Sequence, residues 1–239
     1  MHAPVTLRVA AVIPALDEEA ALPGVLGALP RSGPGWALWR VVVADNGSRD
    51  RTAAVARGWG AEVVPEPRRG YGAACLAALG ALATDPPEIV TFLDGDGSDD
   101  PGELARVLAP IVEDRADLVV GSRVLGGHEP GSLTPAQRFG NALATRLLAV
   151  MFGVRYTDLG PFRAARWSAL ASLCMRDRDY GWTVEMQARA ARAGLRGVEV
   201  PVRWRRRAGG RSKVSGTVRG AIGAGWKILF TLVRVRLGG

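Results

Sequence analysis

Apolar and polar positions follow two rhythms along this chain. Short β-type runs cover residues 7–13, 40–44, 62–64, 89–93 and 117–121, and stretches with helical spacing cover 20–29, 51–59, 73–83 and 102–113. Strands that alternate with helices this regularly predict an α/β domain on a mostly parallel sheet flanked by helices. Beyond residue 121 the pattern changes. Helical spacing covers 134–150 and a stretch that opens at 180 and runs to 193, a late strand covers 199–202, and an amphipathic helix covers 214–237.

The strands end on acids. Asp17, Asp45, Asp94 and Asp96 each follow an apolar run. In a parallel sheet ligands bind at the carboxyl ends of the strands, so these four should converge on one edge. The sharpest segment is IVTFLDGDGSDDP, residues 89–101. Asp94, Asp96, Asp99 and Asp100 would repel one another unless a cation sits among them. Oxygen donors on a loop suit a hard ion, Mg²⁺ or Mn²⁺. Gly95 and Gly97 let the backbone approach a ligand closely. The competing reading is an acidic surface turn. An EF-hand is excluded, because its sixth and twelfth positions need Gly and Glu and here hold Asp99 and Ala105. Two further turns stay open. Asp45-Asn46-Gly47-Ser48 is either ordinary turn chemistry or a carboxylate facing a base or ribose. Arg68-Arg69-Gly70-Tyr71-Gly72 is either a plain helix start or a loop beside a diphosphate.

Composition narrows the class. The chain has 239 residues, 48% of them hydrophobic, enough for one sizeable core. Cys75 and Cys174 stand apart and fit a reducing compartment, and His2 and His128 are isolated. These exclude a disulfide framework, a zinc pattern and a histidine triad. The first residues lack the basic start and apolar core of a signal peptide. No run reaches the roughly 18 uncharged apolar residues of a membrane span. The net charge of +8 is concentrated at one end: ten Arg or Lys and no acid follow Glu199. An anionic partner is expected there. Nucleic acid ranks below phosphate or membrane, because the charge is confined to one end and no nucleic-acid module is present.

The ordered motifs PALDEE, VVVADNGSRD, RRGYGAA, FLDGDGSDDP and VVGSR, followed by TDLGPFRA, the segment around Glu185 and GGRSK, resemble glycosyltransferase family 2. They are most similar to its polyprenyl-phosphate hexose synthases, over about residues 7–215. The resemblance implies a GT-A fold and an inverting, metal-dependent transfer of a hexose from a UDP- or GDP-sugar to a polyprenyl phosphate. It implies that Pro14, Leu16 and Glu18 hold base and ribose. Asp45 would face the base, supported by Ser48 and Asp50. Arg68 and Gly72 would lie near the nucleotide, and Asp94 and Gly95 near ribose or sugar. Asp96 would bind the metal, and Arg123 would approach the sugar or acceptor phosphate. One departure stands out: Ser98 replaces a common Gln ligand, so Ser98, Asp99 or water would complete the metal shell.

The acceptor half carries fewer motifs. Arg138 punctuates the apolar pattern of 134–150. It reads either as a solvated face or, by the resemblance, as a contact to acceptor phosphate. Asp158 is either a loop cap or the base that activates an acceptor. Glu185 stands where the family has an acid near sugar or acceptor. Arg206, Arg211, Ser212 and Lys213 form a basic, Gly-containing loop suited to closing over phosphates. The segment 214–239 reads either as an interfacial helix at a cytoplasmic membrane surface or as a helix packed on the 1–213 domain or in a homodimer.

Overall fold

The computed structural model describes residues 6–207 and 218–238, with side chains described outside 218–225. The leading run forms β1 (Leu7–Ala15), which pairs in parallel with β3 (Trp36–Asp45) and β5 (Ile89–Phe92). A two-residue strand, β2 (Ser32–Gly33), and β4 (Glu62–Pro65) share the outer edge of β3. On the other side the order runs β5, β7 (Arg163–Arg166), β6 (Leu118–Ser122), β8 (Gly197–Pro201). β6 and β8 are parallel, whereas β7 is antiparallel to both its neighbours.

The period-two pattern of β1 explains how it is held. Val9, Ala11, Ile13 and Ala15 face one core with α1 (Leu22–Ala28), α2 (Thr52–Gly58) and α4 (Leu104–Val112). Ala10 and Val12 face a second core with α3 (Tyr71–Leu82), α7 (Trp167–Ser172) and α8 (Trp182–Arg192). A strand covered on both faces reads as a continuous apolar run. β7 does not. Arg163, its first residue, is fully buried and donates to the carbonyls of Leu159, Gly160 and Thr183. Its burial holds the guanidinium below its usual range.

Beyond the sheet, α5 (Arg123–Gly126) follows β6, and α6 (Pro135–Phe152) opens with a Thr134/Gln137 capping box and closes on Gly153 in left-handed conformation. α9 (Val218–Arg236) packs beside α6 and α8. Thr231, Leu232 and Val235 are buried, while Trp226, Phe230, Val233 and Leu237 are exposed. One face of α9 is therefore docked on the body and the opposite face is open. Among the described residues no helix is long and apolar enough to cross a membrane.

Candidate active site

The carboxyl ends of β1, β3 and β5 open into a cavity of about 730 Å³. Pro14 lines it at the end of β1, Leu16 and Glu18 just after, Asn46 after β3, and Asp94, Gly95, Asp96 and Ser98 after β5. Arg69, Gly70 and Tyr71 enter from the start of α3, and Arg123, Trp204, Arg206 and Arg207 from the far half of the chain.

The acidic loop is folded onto itself. Ser98 N donates to Asp96 Oδ1 (2.8 Å), and Asp94 N donates to Asp99 Oδ2 (2.9 Å). Arg207 Nη2 lies 2.9 Å from Asp96 Oδ2 and 3.0 Å from Glu18 Oε1. Burial and the neighbouring Asp96 charge push the Asp94 carboxyl up to about 7, against the Tyr71 hydroxyl and the cations Arg207 and Arg123. Burial and the Asp94 charge also push Asp99 well above the usual carboxylate range. Asp94 Oδ1, Ser98 Oγ and Asp99 Oδ1 are buried without a hydrogen-bond partner. These orphan oxygens beside Asp96 are a hard-donor set of the kind Mg²⁺ or Mn²⁺ takes. Among the described residues no three acidic, His or Cys side chains form a complete metal cage. A divalent ion here would complete its shell with water and ligand oxygens.

A second cavity, about 1040 Å³, runs along α6 and is lined by Arg123, Arg138, Arg146, Arg155 and Asp158. Arg123 lines both cavities. Its N and Nε donate to Asp158 Oδ2 (2.8 and 2.7 Å) and its Nη2 to Asp158 Oδ1 (2.7 Å). Its guanidinium stacks 4.8 Å from the centre of the Trp204 ring. Leu159 N also donates to Asp158 Oδ1 (2.8 Å), and Asp158 is 1% exposed. The sequence left Asp158 open between a cap and a base. With four N–H groups already on its two oxygens, it orients Arg123 and presents no free lone pair to the groove. Asn141 and Glu199 fix the same loop: Asn141 Nδ2 donates to Thr157 O, and Glu199 accepts from Thr157 N and Asp158 N.

Several expected site residues fall elsewhere. Asp45 and Ser48 are not among the lining residues: Ser48 N donates to Asp45 Oδ1 within their turn, and Ser48 Oγ accepts from Asp17 N of the loop after β1. Neighbouring Asn46 lines the cavity instead, and its amide clamps the Arg68 carbonyl and the Gly70 N–H. The Arg68 side chain is exposed, and Arg69 lines the cavity in its place. Gly72 lines neither cavity. Its backbone abuts Asp177, and a Cβ there would lie 2.1 Å from the Asp177 carbonyl oxygen. Asp99 is buried within the loop and is not among the lining residues. Glu185 is fully buried away from both cavities, where Arg189 (2.9 Å), Arg234 (3.0 Å) and the backbone N–H groups of Arg176 and Asp177 hold it. That network moors α9, so buried neutralisation replaces the expected acceptor contact. Arg211, Ser212 and Lys213 lie outside the described residues. Sequence reasoning missed Tyr71, Trp204 and Arg207 as lining residues. The basic run 203–207 was a signal, but only its tertiary contacts decide which of its side chains turns inward: Trp204, Arg206 and Arg207 do.

A nucleotide-sized cavity at the strand ends, with an acidic loop on one side and an arginine-lined groove on the other, defines a transferase with two substrates. The chain belongs to glycosyl transferase family 2, whose model matches residues 10–174, and it is a glycosyltransferase. It is 43% identical over 226 residues to an uncharacterized glycosyltransferase of Mycobacterium tuberculosis, covering 92% of this chain and 97% of the relative. It is 34% identical over 201 residues to a dolichyl-phosphate hexose transferase of Haloferax volcanii, covering 84% of each. It is 30% identical over 224 residues to an undecaprenyl-phosphate mannosyltransferase of Micrococcus luteus, covering 90% of each. Among solved structures, glucosyl-3-phosphoglycerate synthase of Mycobacterium tuberculosis, in complex with Mn²⁺, UDP-glucose and phosphoglyceric acid, superposes with a TM-score of 0.74 at 24% identity. It covers 97% of this chain and 80% of that one, a likeness of fold.

Proposed function

We propose that this glycosyltransferase moves a hexose, with inversion, from a UDP- or GDP-sugar to a polyprenyl phosphate at the cytoplasmic face of a membrane. One observation carries the choice of acceptor. The groove that meets the donor cavity at Arg123 offers Arg123 and Arg138 to an acceptor anion, and its single acid, Asp158, is engaged by Arg123. A hydroxyl acceptor needs a base, whereas a phosphate oxygen is already anionic. The two polyprenyl- and dolichyl-phosphate transferases among the relatives support the same class of acceptor.

Pro14, Leu16, Glu18 and Asn46 would hold the nucleoside, and Arg69 and Arg207 the diphosphate. Asp96, with Ser98 and the Asp94 carboxylate, would hold Mg²⁺ or Mn²⁺, which when bound neutralises charge on the leaving diphosphate. Arg123 stands between the cavities. It draws the acceptor anion toward the anomeric carbon on the side opposite the leaving group, and Asp158 fixes its direction. Trp204 and Tyr71 narrow the passage and limit water. The 1–213 region would be the catalytic domain. The 214–239 segment would lay the open face of α9 on the membrane, with Arg236 near anionic headgroups.

The test is a transfer assay with purified protein, Mg²⁺ or Mn²⁺, a short polyprenyl phosphate and a panel of labelled UDP- and GDP-sugars. Label in the organic phase from one donor is expected. Release of UDP or GDP without labelled lipid would overturn the acceptor assignment and redirect the search to hydroxyl acceptors.

A further inference from the structure

The α6 groove holds more positive charge than one acceptor phosphate can use. Arg138, Arg146 and Arg155 line it together with Arg123. All three are exposed, and none has a side-chain hydrogen bond or ion pair among the described residues. Arg138 and Arg146 are eight residues apart on one helix, about 12 Å at 1.5 Å per residue. A phosphate group is only a few ångströms across. An anion held between Arg123 and Arg138 leaves Arg146, more than two helical turns further along α6, to a different partner. Arg155 follows the left-handed Gly153 that ends α6 and lines the same cavity as Arg146 and Ala149. The groove thus has two centres of positive charge, one at the donor cavity and one toward the far end of α6.

The second centre sits beside apolar surface. Phe139, Leu143 and Val150 are exposed at 72%, 44% and 78%. With Arg146 they follow the i, i+4, i+7, i+11 spacing of a single helical stripe. Arg146 is shared by the stripe and the groove.

We propose that Arg146 and Arg155 form a second phosphate subsite, occupied by the headgroup phosphate of an anionic membrane phospholipid, while the acceptor phosphate takes Arg123 and Arg138. The inference rests on the membrane reading above and deepens it. The second anion aligns the groove with the bilayer, so the acceptor's phosphate enters along α6 while its chain stays in lipid. Cations near an anionic bilayer each add about 1 kcal/mol of attraction, so removing both should weaken binding about 30-fold.

The experiment measures co-sedimentation of the full chain with phosphatidylcholine vesicles, with and without phosphatidylglycerol. It compares wild type, Arg146→Gln/Arg155→Gln, and a control of equal charge loss on another surface, Arg31→Gln/Arg57→Gln. The double variant should lose about 30-fold in affinity for the anionic vesicles and the control under about threefold. Equal losses in both would show diffuse charge attraction and overturn the subsite. No loss in either would overturn it as well. A second arm measures transfer to a short polyprenyl phosphate in detergent. An unchanged acceptor KM in the double variant is expected. A raised KM there, with vesicle binding intact, would place the second anion on the acceptor and overturn the headgroup assignment. Failure of transfer by wild type would refute the acceptor reading instead, independently of the vesicle result.

Discussion

Replacing Asp158 by Asn separates a positioning carboxylate from a catalytic base. In the structure Arg123 N, Nε and Nη2 donate to Asp158 at 2.8, 2.7 and 2.7 Å. The pair is nearly dry, with side-chain exposures of 14% for Arg123 and 1% for Asp158. The amide keeps the shape but turns one acceptor into a donor that faces Arg123. Breaking a buried pair from one side costs about 3–5 kcal/mol. The stack on Trp204 and the residual access to solvent retain part of Arg123's stabilisation, so about 2–3 kcal/mol is expected. For a chain of this length that is a fall in Tm of about 4–12 °C. Arg123 would also lose its fixed direction, and transfer should fall about 100-fold, as for a misplaced group. The decisive assay is a double-mutant cycle on kcat/KM with Arg123→Gln. If Asp158 acts through Arg123, the double variant is no slower than Arg123→Gln alone. Additive losses, or an acidic limb of the pH–rate profile that disappears with Asn, would refute the positioning role and restore Asp158 as a base.

Three further outcomes follow from the geometry. Gly72→Ala places a methyl 2.1 Å from the Asp177 carbonyl oxygen; it should destabilise by about 1–3 kcal/mol, and an unchanged urea midpoint would contradict the packing. Asp94 holds its proton up to about 7 in the fold and only to about 4 when unfolded. Between these values the native state binds more protons, so this contribution to stability is present below about pH 4 and lost as pH rises through about 7. Asp94→Asn should remove that downward slope in a difference profile of Tm against pH measured without metal; parallel profiles would refute the assignment. Arg207 bridges Glu18 and Asp96, so Arg207→Gln removes a cation that competes for Asp96. Mn²⁺ alone should then bind several-fold tighter by electron paramagnetic resonance titration, and weaker binding would show that Arg207 supports the metal site rather than competing with it.

The sequence by itself determined the strand–helix alternation of the first half, the apolar runs that became β1 and β5, and the acidic loop at a strand end. Those features are local. An apolar run covered on both faces and a Gly-Asp loop carry their pattern in consecutive residues. Only the tertiary structure decided the rest. β7 is a central strand whose Arg163 is satisfied by carbonyls brought from Leu159 to Thr183, so its sequence, RAAR, carries no strand signature. Asp45 accepts from the Ser48 N–H, the Ser48 hydroxyl accepts from the Asp17 N–H, and the cavity takes Asn46. Glu185 became an anchor for α9 because Arg189 and Arg234 reach it from a turn away and from the far end of the chain. Asp158 is tied to Arg123 across 35 residues. A side chain's role depends on which groups use its lone pairs first, and those groups are set by contacts distant in sequence.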